Sequence, residues 1–174
     1  MRRFVAISII LLILYAVMGW CGIYFNFFSG SMPLGFYQKI SSAPTEGAIA
    51  ATCLTPQIVQ EGLDRGYLSK GVCNTGIRPL IKHVLGRAGD IIAVKRGILT
   101  INGIAYPDYP VWNHDSQGRL LRRFYSDDGY TLKEGEYLLL SNYNEKSWDS
   151  RYYAGVPIEF VLKPLWIIYD HQHS

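Results

Sequence analysis

The stretch SGSMP at residues 29–33, with the lysine of IKHVLGRAGD (residues 81–90) following its second serine by 51 positions, decides how this chain is read. A serine hydroxyl is a poor nucleophile at neutral pH and needs a base beside it, a role that a neutral lysine can fill. The lysine must first be brought down by roughly 3 units from its ordinary pKa of about 10.4, which burial does by destabilising the ammonium. Lys82 has Leu80, Ile81, Val84 and Leu85 around it, although strand alternation puts only some of them on its face. On residue type alone, Ser31 equally fits a turn in a Gly/Pro-containing segment, and Lys82 an edge lysine with its amine in water.

Upstream of the serine lies an apolar run. Phe4 to Phe25 are 22 positions without a charge, and at about 1.5 Å per residue a helix of that length covers a bilayer core of about 30 Å. The run is too long for the apolar part of a cleaved signal peptide, typically about 7–15 residues. Arg2 and Arg3 are the only charges ahead of it. The positive-inside tendency therefore makes residues 1–3 a cytoplasmic tip, 4–25 a transmembrane helix, and 26–174 an extracytoplasmic domain facing a lipid bilayer. With 17 Lys+Arg against 14 Asp+Glu, the net charge of +3 is small and scattered, with no basic stripe that would fit nucleic acid.

Of the three cysteines, Cys21 falls in the apolar run, which leaves Cys53 and Cys73 as an even pair in a compartment where disulfides persist. A bond between them is expected, with two buried thiols as the alternative. No Cys or His cluster near either one suggests a metal. Between them Thr55 and Pro56 open a helix that Gly71 stops. Ala48 to Leu54 reads as a strand. Further strands follow at Ile91 to Lys95, Ile98 to Ile101 and Ile104 to Tyr106, the last two joined by Asn102-Gly103, the strongest short hairpin signal. Glu136 to Ser141, Ile158 to Leu162 and Leu165 to Tyr169 add three more, and residues 107–133 look like a surface excursion. The fold class expected is mainly β behind one helix, in a single domain.

Three ordered motifs resemble the type I signal peptidase superfamily. Ser29-Gly30-Ser31-Met32 matches its serine-x-serine-methionine block at the membrane exit. Lys82-His83-Val84 and Gly86-Arg87-Ala88-Gly89-Asp90 match its lysine block, and Ser147-Trp148-Asp149-Ser150-Arg151 its serine-x-aspartate-serine-arginine block. His83 stands where the family usually has arginine, Arg87-Ala88 where it has Leu-Pro, and Gly47-Ala48 where a Gly-Asp pair is common. Relatives in the endoplasmic reticulum use histidine as base. Here His83 adjoins Lys82 and faces the other side of a strand, so it is not the base. His114, His171 and His173 fall in a polar loop and a tail.

The resemblance implies a serine endopeptidase needing no cofactor or metal. It makes Ser31 the nucleophile and Lys82 the general base, with the Ser31 N–H and the Ser29 hydroxyl as oxyanion hole. It further implies that Ser147 orients the lysine amine and that Asp149 and Arg151 hold that segment as an ion pair. On sequence alone the pair would be a surface contact of little consequence. Ser31-Met32-Pro33-Leu34-Gly35-Phe36-Tyr37 is most similar to the serine-x-proline-x-glycine-x-tyrosine form of the TraF-type peptidases of bacterial conjugation, which also share the cysteines flanking a helix. That subgroup implies an exported pilin precursor as partner, for a type IV secretion pilus, with the enzyme in the inner membrane and its catalytic domain in the periplasm. The acyl-enzyme of such peptidases resolves with water or with the pilin's own amine. A general signal peptidase and a non-catalytic envelope scaffold are the rival expectations.

Overall fold

The computed structural model describes residues 2–27 and 30–169. Helix α1 (Arg2–Trp20) is followed by β1 (Ile23–Asn26), β2 (Leu34–Ile40), β3 (Ile49–Thr52), α2 (Pro56–Asp64) and β4 (Leu80–Gly86). The chain continues through β5 (Ile91–Lys95), β6 (Ile98–Ile101), β7 (Ile104–Pro110), β8 (Tyr130–Thr131), β9 (Leu138–Leu140) and β10 (Phe160–Tyr169). Two antiparallel sheets result, one of order β1-β2-β10-β3-β4-β9 and the other β7-β6-β5-β8. The mainly β expectation holds.

The apolar run divides where one span was expected. The Cys21 N–H still bonds the Val17 carbonyl, but Gly22 turns the chain with φ +68°, and residues 23–26 pair with β2 instead of continuing the helix. The aromatic and β-branched residues Ile23, Tyr24 and Phe25 favour that extended state. At 19 residues and about 1.5 Å each, α1 reaches about 28 Å, and among the described residues no helix is long and apolar enough to cross a membrane. Residue 1 of the expected cytoplasmic tip lies outside the described residues.

Three other expectations change. The helix opening at Thr55 ends at Asp64, because Gly66 (φ +73°) reverses the chain well before Gly71. The two strands expected at 158–162 and 165–169 are one, β10, with a bulge between Pro164 and Trp166. Pro164 is tolerated there because β10 has already passed the end of β3, so β2 is its remaining partner in the sheet. Residues 107–133 are not wholly a surface excursion: most of them lie exposed as expected, but Leu121, Tyr125 and Leu132 are buried, the last two in the core between β5–β6 and β9. The Asn102-Gly103 hairpin forms as expected, with φ of +52° and +81°.

Cys53 and Cys73 form a disulfide that encloses α2. Behind it, Gly62 of α2 lies so close to Leu68 and Trp148 that a Cβ would collide with both. The loop between the cysteines spans 20 residues, and closing it removes about 3 kcal/mol of unfolded-chain entropy. Reduction, or the double substitution Cys53→Ala with Cys73→Ala, is therefore expected to lower stability by about that amount. Thermal unfolding with and without reductant measures it, and an unmoved midpoint would assign the stability elsewhere.

Candidate functional site

Ser31 lies just ahead of β2, where the chain leaves its turn and is not yet in a sheet. The motif that follows has physical reasons. Pro33 offers its carbonyl to the Tyr37 hydroxyl at 2.6 Å and to Asn26 Nδ2 at 3.0 Å. Gly35 is needed because a Cβ would strike the Trp166 carbonyl of neighbouring β10. Met32 is 1% exposed and fixes the segment to the interior.

Lys82 sits in the middle of β4, paired with Ala50 of β3. Its side chain is buried, and its Nζ donates to Ser147 Oγ at 2.9 Å. Burial pushes its pKa down from the ordinary lysine value to about 8, with the Asp149 carboxylate working against the shift and the Arg151 guanidinium adding to it. The expected burial of Lys82 is thus met by the Ala50 and Val84 face of the strand, which belongs to the main core. His83 points to the other face, its Nδ1 3.4 Å from the Gly47 carbonyl oxygen.

Ser147 Oγ also stands 3.4 Å from Ser31 Oγ. One hydroxyl therefore contacts both the serine and the lysine amine. Ser147 is presented by the segment after β9, which doubles back so that Ser150 exchanges hydrogen bonds with Leu139: Oγ accepts from the Leu139 N–H at 3.1 Å, and the Ser150 N–H donates to the Leu139 carbonyl at 3.2 Å. That return covers the outer edge of β9.

The Asp149–Arg151 pair is not a surface contact. Both side chains are fully buried, with Arg151 Nε and Nη2 donating to the two carboxylate oxygens at 2.8 Å each. Nη2 also donates to the Ser147 carbonyl at 3.1 Å, and Nη1 to the Pro110 carbonyl at 2.6 Å. Burial alone would lower the Arg151 pKa, but the charge and hydrogen bonds of Asp149 prevail and hold it above its usual value. Sequence reasoning missed Ser141 and Asn26. Ser141 Oγ donates to the Ser31 carbonyl, and its N–H to Asp149 Oδ2 at 3.2 Å. Neither residue belongs to a recognisable motif, and both act across long separations or through main-chain carbonyls. Ser29 lies outside the described residues, as do His171 and His173.

Ser31, Lys82 and Ser147 open onto a groove of about 560 Å³ walled by Phe27, Tyr67, Leu68, Val72, Trp148 and Phe160. A smaller cavity of about 320 Å³, between Glu46, Arg87, Asp90 and Asn102, contains none of them. The groove is mostly apolar with a hydroxyl and an amine at its floor, an arrangement suited to attack on a carbonyl of an extended apolar chain.

The family model described as "Signal peptidase, peptidase S26" matches residues 2–164. The chain is 36% identical over 141 residues, 78% of each chain, to a plasmid transfer protein TraF of Escherichia coli. It is 30% identical over 163 residues to a conjugal transfer protein TraF of Agrobacterium fabrum, covering 92% of this chain and 90% of that one. A signal peptidase I from Enterococcus faecalis, of known crystal structure, aligns over 70% of this chain and 98% of its own at 19% identity and a TM-score of 0.39.

Truncating one partner of a buried pair strands the other charge, at a cost of about 3–5 kcal/mol. Asp149→Ala and Arg151→Ala are therefore each expected to destabilise the protein by that amount, whereas Asp149→Leu combined with Arg151→Met should cost less than either single truncation. Urea unfolding of the three variants checks the order.

Proposed function

The chain belongs to the signal peptidase S26 family, and from that membership we propose a serine endopeptidase in which Ser31 is the nucleophile and neutral Lys82 the general base. The observation that carries this reading is the single hydroxyl of Ser147, in contact with both Lys82 Nζ and Ser31 Oγ, with the amine buried enough to lose its proton near pH 8. Ser31 Oγ attacks the scissile carbonyl while Nζ takes its proton. The developing oxyanion meets the Ser31 N–H and the Ser29 hydroxyl. Collapse returns the proton from Nζ to the departing amine and leaves an ester on Ser31, which water or an amine then resolves through the same base.

The substrate proposed is an exported precursor used in conjugative transfer, a pilin first of all, because relatives of this length carry the name of plasmid or conjugal transfer proteins. Helix α1 supports an anchor in the inner membrane, with the catalytic domain in the periplasm. Its described side chains are apolar apart from Ser8 and lie almost entirely exposed, so that water is a poor solvent for every face. Trp20 at its end and Tyr24, Phe25 and Phe27 after it are aromatic residues suited to the bilayer interface. An anchor beside the site concentrates precursors that are themselves held in the bilayer.

Ser31→Ala and Lys82→Ala should each abolish cleavage of a pilin precursor in a detergent assay, while leaving the thermal midpoint close to that of the parent. Because the base works only when neutral, kcat/KM should rise with pH through a midpoint near about 8 and fall about tenfold per unit below it. A profile flat down to pH 5 would remove Lys82 from the role. The anchor is checked by washing membranes in alkaline carbonate: the full chain should stay in the pellet, and its release into the wash would leave α1 without a bilayer role.

A further inference from the structure

Residues 31–33 lie outside the strands, so the regular ladder of sheet hydrogen bonds does not fix them. Their three successive carbonyls are nonetheless all engaged by side chains. The Ser31 carbonyl accepts from Ser141 Oγ, the Met32 carbonyl from Asn26 Nδ2 at 3.2 Å, and the Pro33 carbonyl from Asn26 Nδ2 at 3.0 Å and from the Tyr37 hydroxyl. Asn26 is 4% exposed and Ser141 fully buried, so these bonds are shielded from competing water.

We propose that Asn26 and Ser141 are positioning residues that clamp the main chain of the nucleophile and thereby fix Ser31 Oγ against Ser147 and Lys82, an inference that rests on the serine-lysine reading above. The two donors approach from opposite ends of the large sheet. Asn26 ends β1, the first edge strand, and is paired with Gly35; Ser141 directly follows β9, the other edge strand. Between them they tie the sheet's two ends to one short segment.

Ser141 does more than fill a hole. Its N–H donates to Asp149 Oδ2, the carboxylate that also grips Arg151, and Arg151 in turn holds the Ser147 carbonyl. The backbone of Ser31 and the backbone of Ser147 are thus referred to a single carboxylate. Their hydroxyls meet at 3.4 Å. Losing the Ser141 hydroxyl frees the Ser31–Met32 peptide plane to rotate, and that rotation moves Oγ relative to the lysine without touching the lysine itself. A displacement of about 1 Å at a reacting atom costs on the order of 10²-fold in rate.

The test uses the full chain in detergent micelles and a peptidyl diphenyl phosphonate, which reacts covalently with an activated serine and separates binding (KI) from bond formation (kinact). Wild type and Ser31→Ala establish that labelling occurs at Ser31. Ser141→Ala should lower kinact by about 10- to 100-fold with KI within about twofold, the range expected for misplacement alone. The pH midpoint of labelling should stay near about 8, since the burial of Lys82 is unaltered. Ser141→Thr, which keeps the hydroxyl, should recover most of the rate. Asn26→Ala, pulling on Met32 and Pro33 from the other side, should repeat the fall in kinact and serves where Ser141→Ala does not fold. Unchanged kinact in folded Ser141→Ala or Asn26→Ala would overturn the clamp alone. An unlabelled wild type, or equal labelling of Ser31→Ala, would overturn the serine-lysine reading and the clamp with it.

Discussion

The guanidinium of Arg151 is the constraint around which the site is arranged. Taken out of water, it must be matched on every side, and the structure does so with the Asp149 carboxylate and the carbonyls of Ser147 and Pro110. Asp149 and Ser147 belong to Arg151's own segment, whereas Pro110 comes from 41 residues away. Pro110 ends β7 in the small sheet, and Ser147 faces the large one. A charge that cannot be left unpaired therefore fixes how the two sheets meet. It also fixes where Ser147 stands, because the carbonyl and the hydroxyl of one residue move together.

A second buried charge depends on the first. Lys82 has no carboxylate in hydrogen-bond contact among its described partners; it has the hydroxyl of Ser147. Were Asp149 its direct partner, the ammonium would be stabilised and the amine would be a poor base. Because Arg151 occupies the carboxylate, Lys82 feels Asp149 only at a distance, and burial decides its pKa. The ion pair thus keeps Ser147 in place and keeps the carboxylate away from the amine.

Much of this was legible in the sequence, and the limits have physical causes. The Asn102-Gly103 hairpin, the Thr55-Pro56 helix start and the apolar setting of Lys82 are local features, set by backbone φ, by Pro56 in the first helical turn, where Thr55 makes no side-chain cap bond, and by strand alternation. The motifs around Ser31, Lys82 and Ser147 marked the site because their order and spacing resemble a known family. What local pattern cannot give is depth. Asp149 and Arg151 two positions apart look the same whether they lie on a surface or in a core, and only the covering by β7 and the 121–125 segment makes them buried. Pro164 reads as a strand break until it is known that β10 has already left β3. In the uncharged run from Phe4, Ile23 to Phe25 suit a span as well as a strand, so the turn at Gly22 is not marked by any change of polarity. Ser141 and Asn26 escaped notice because single polar residues at strand ends are common, and their partners are main-chain carbonyls that carry no sequence signature.

The same geometry separates access from chemistry. Ser31 is half-buried at the floor of the groove, whereas Lys82 is 3% exposed behind it with Ser147 between them. In the proposed reading, an extended substrate lying in the groove brings a carbonyl to Ser31 without uncovering the lysine, so the environment that lowers the amine's pKa survives substrate entry. Ser31 is also reached through β1, since Asn26 is six residues beyond the end of α1 and holds the carbonyls of Met32 and Pro33. Strand β1 is hydrogen-bonded to β2 over four residue pairs, which ties the segment after α1 to the strand that follows Ser31. In the proposed reading, the surface on which α1 is seated sets the height of Ser31 above it, and with that height the place along a bilayer-held precursor at which a peptide bond is presented.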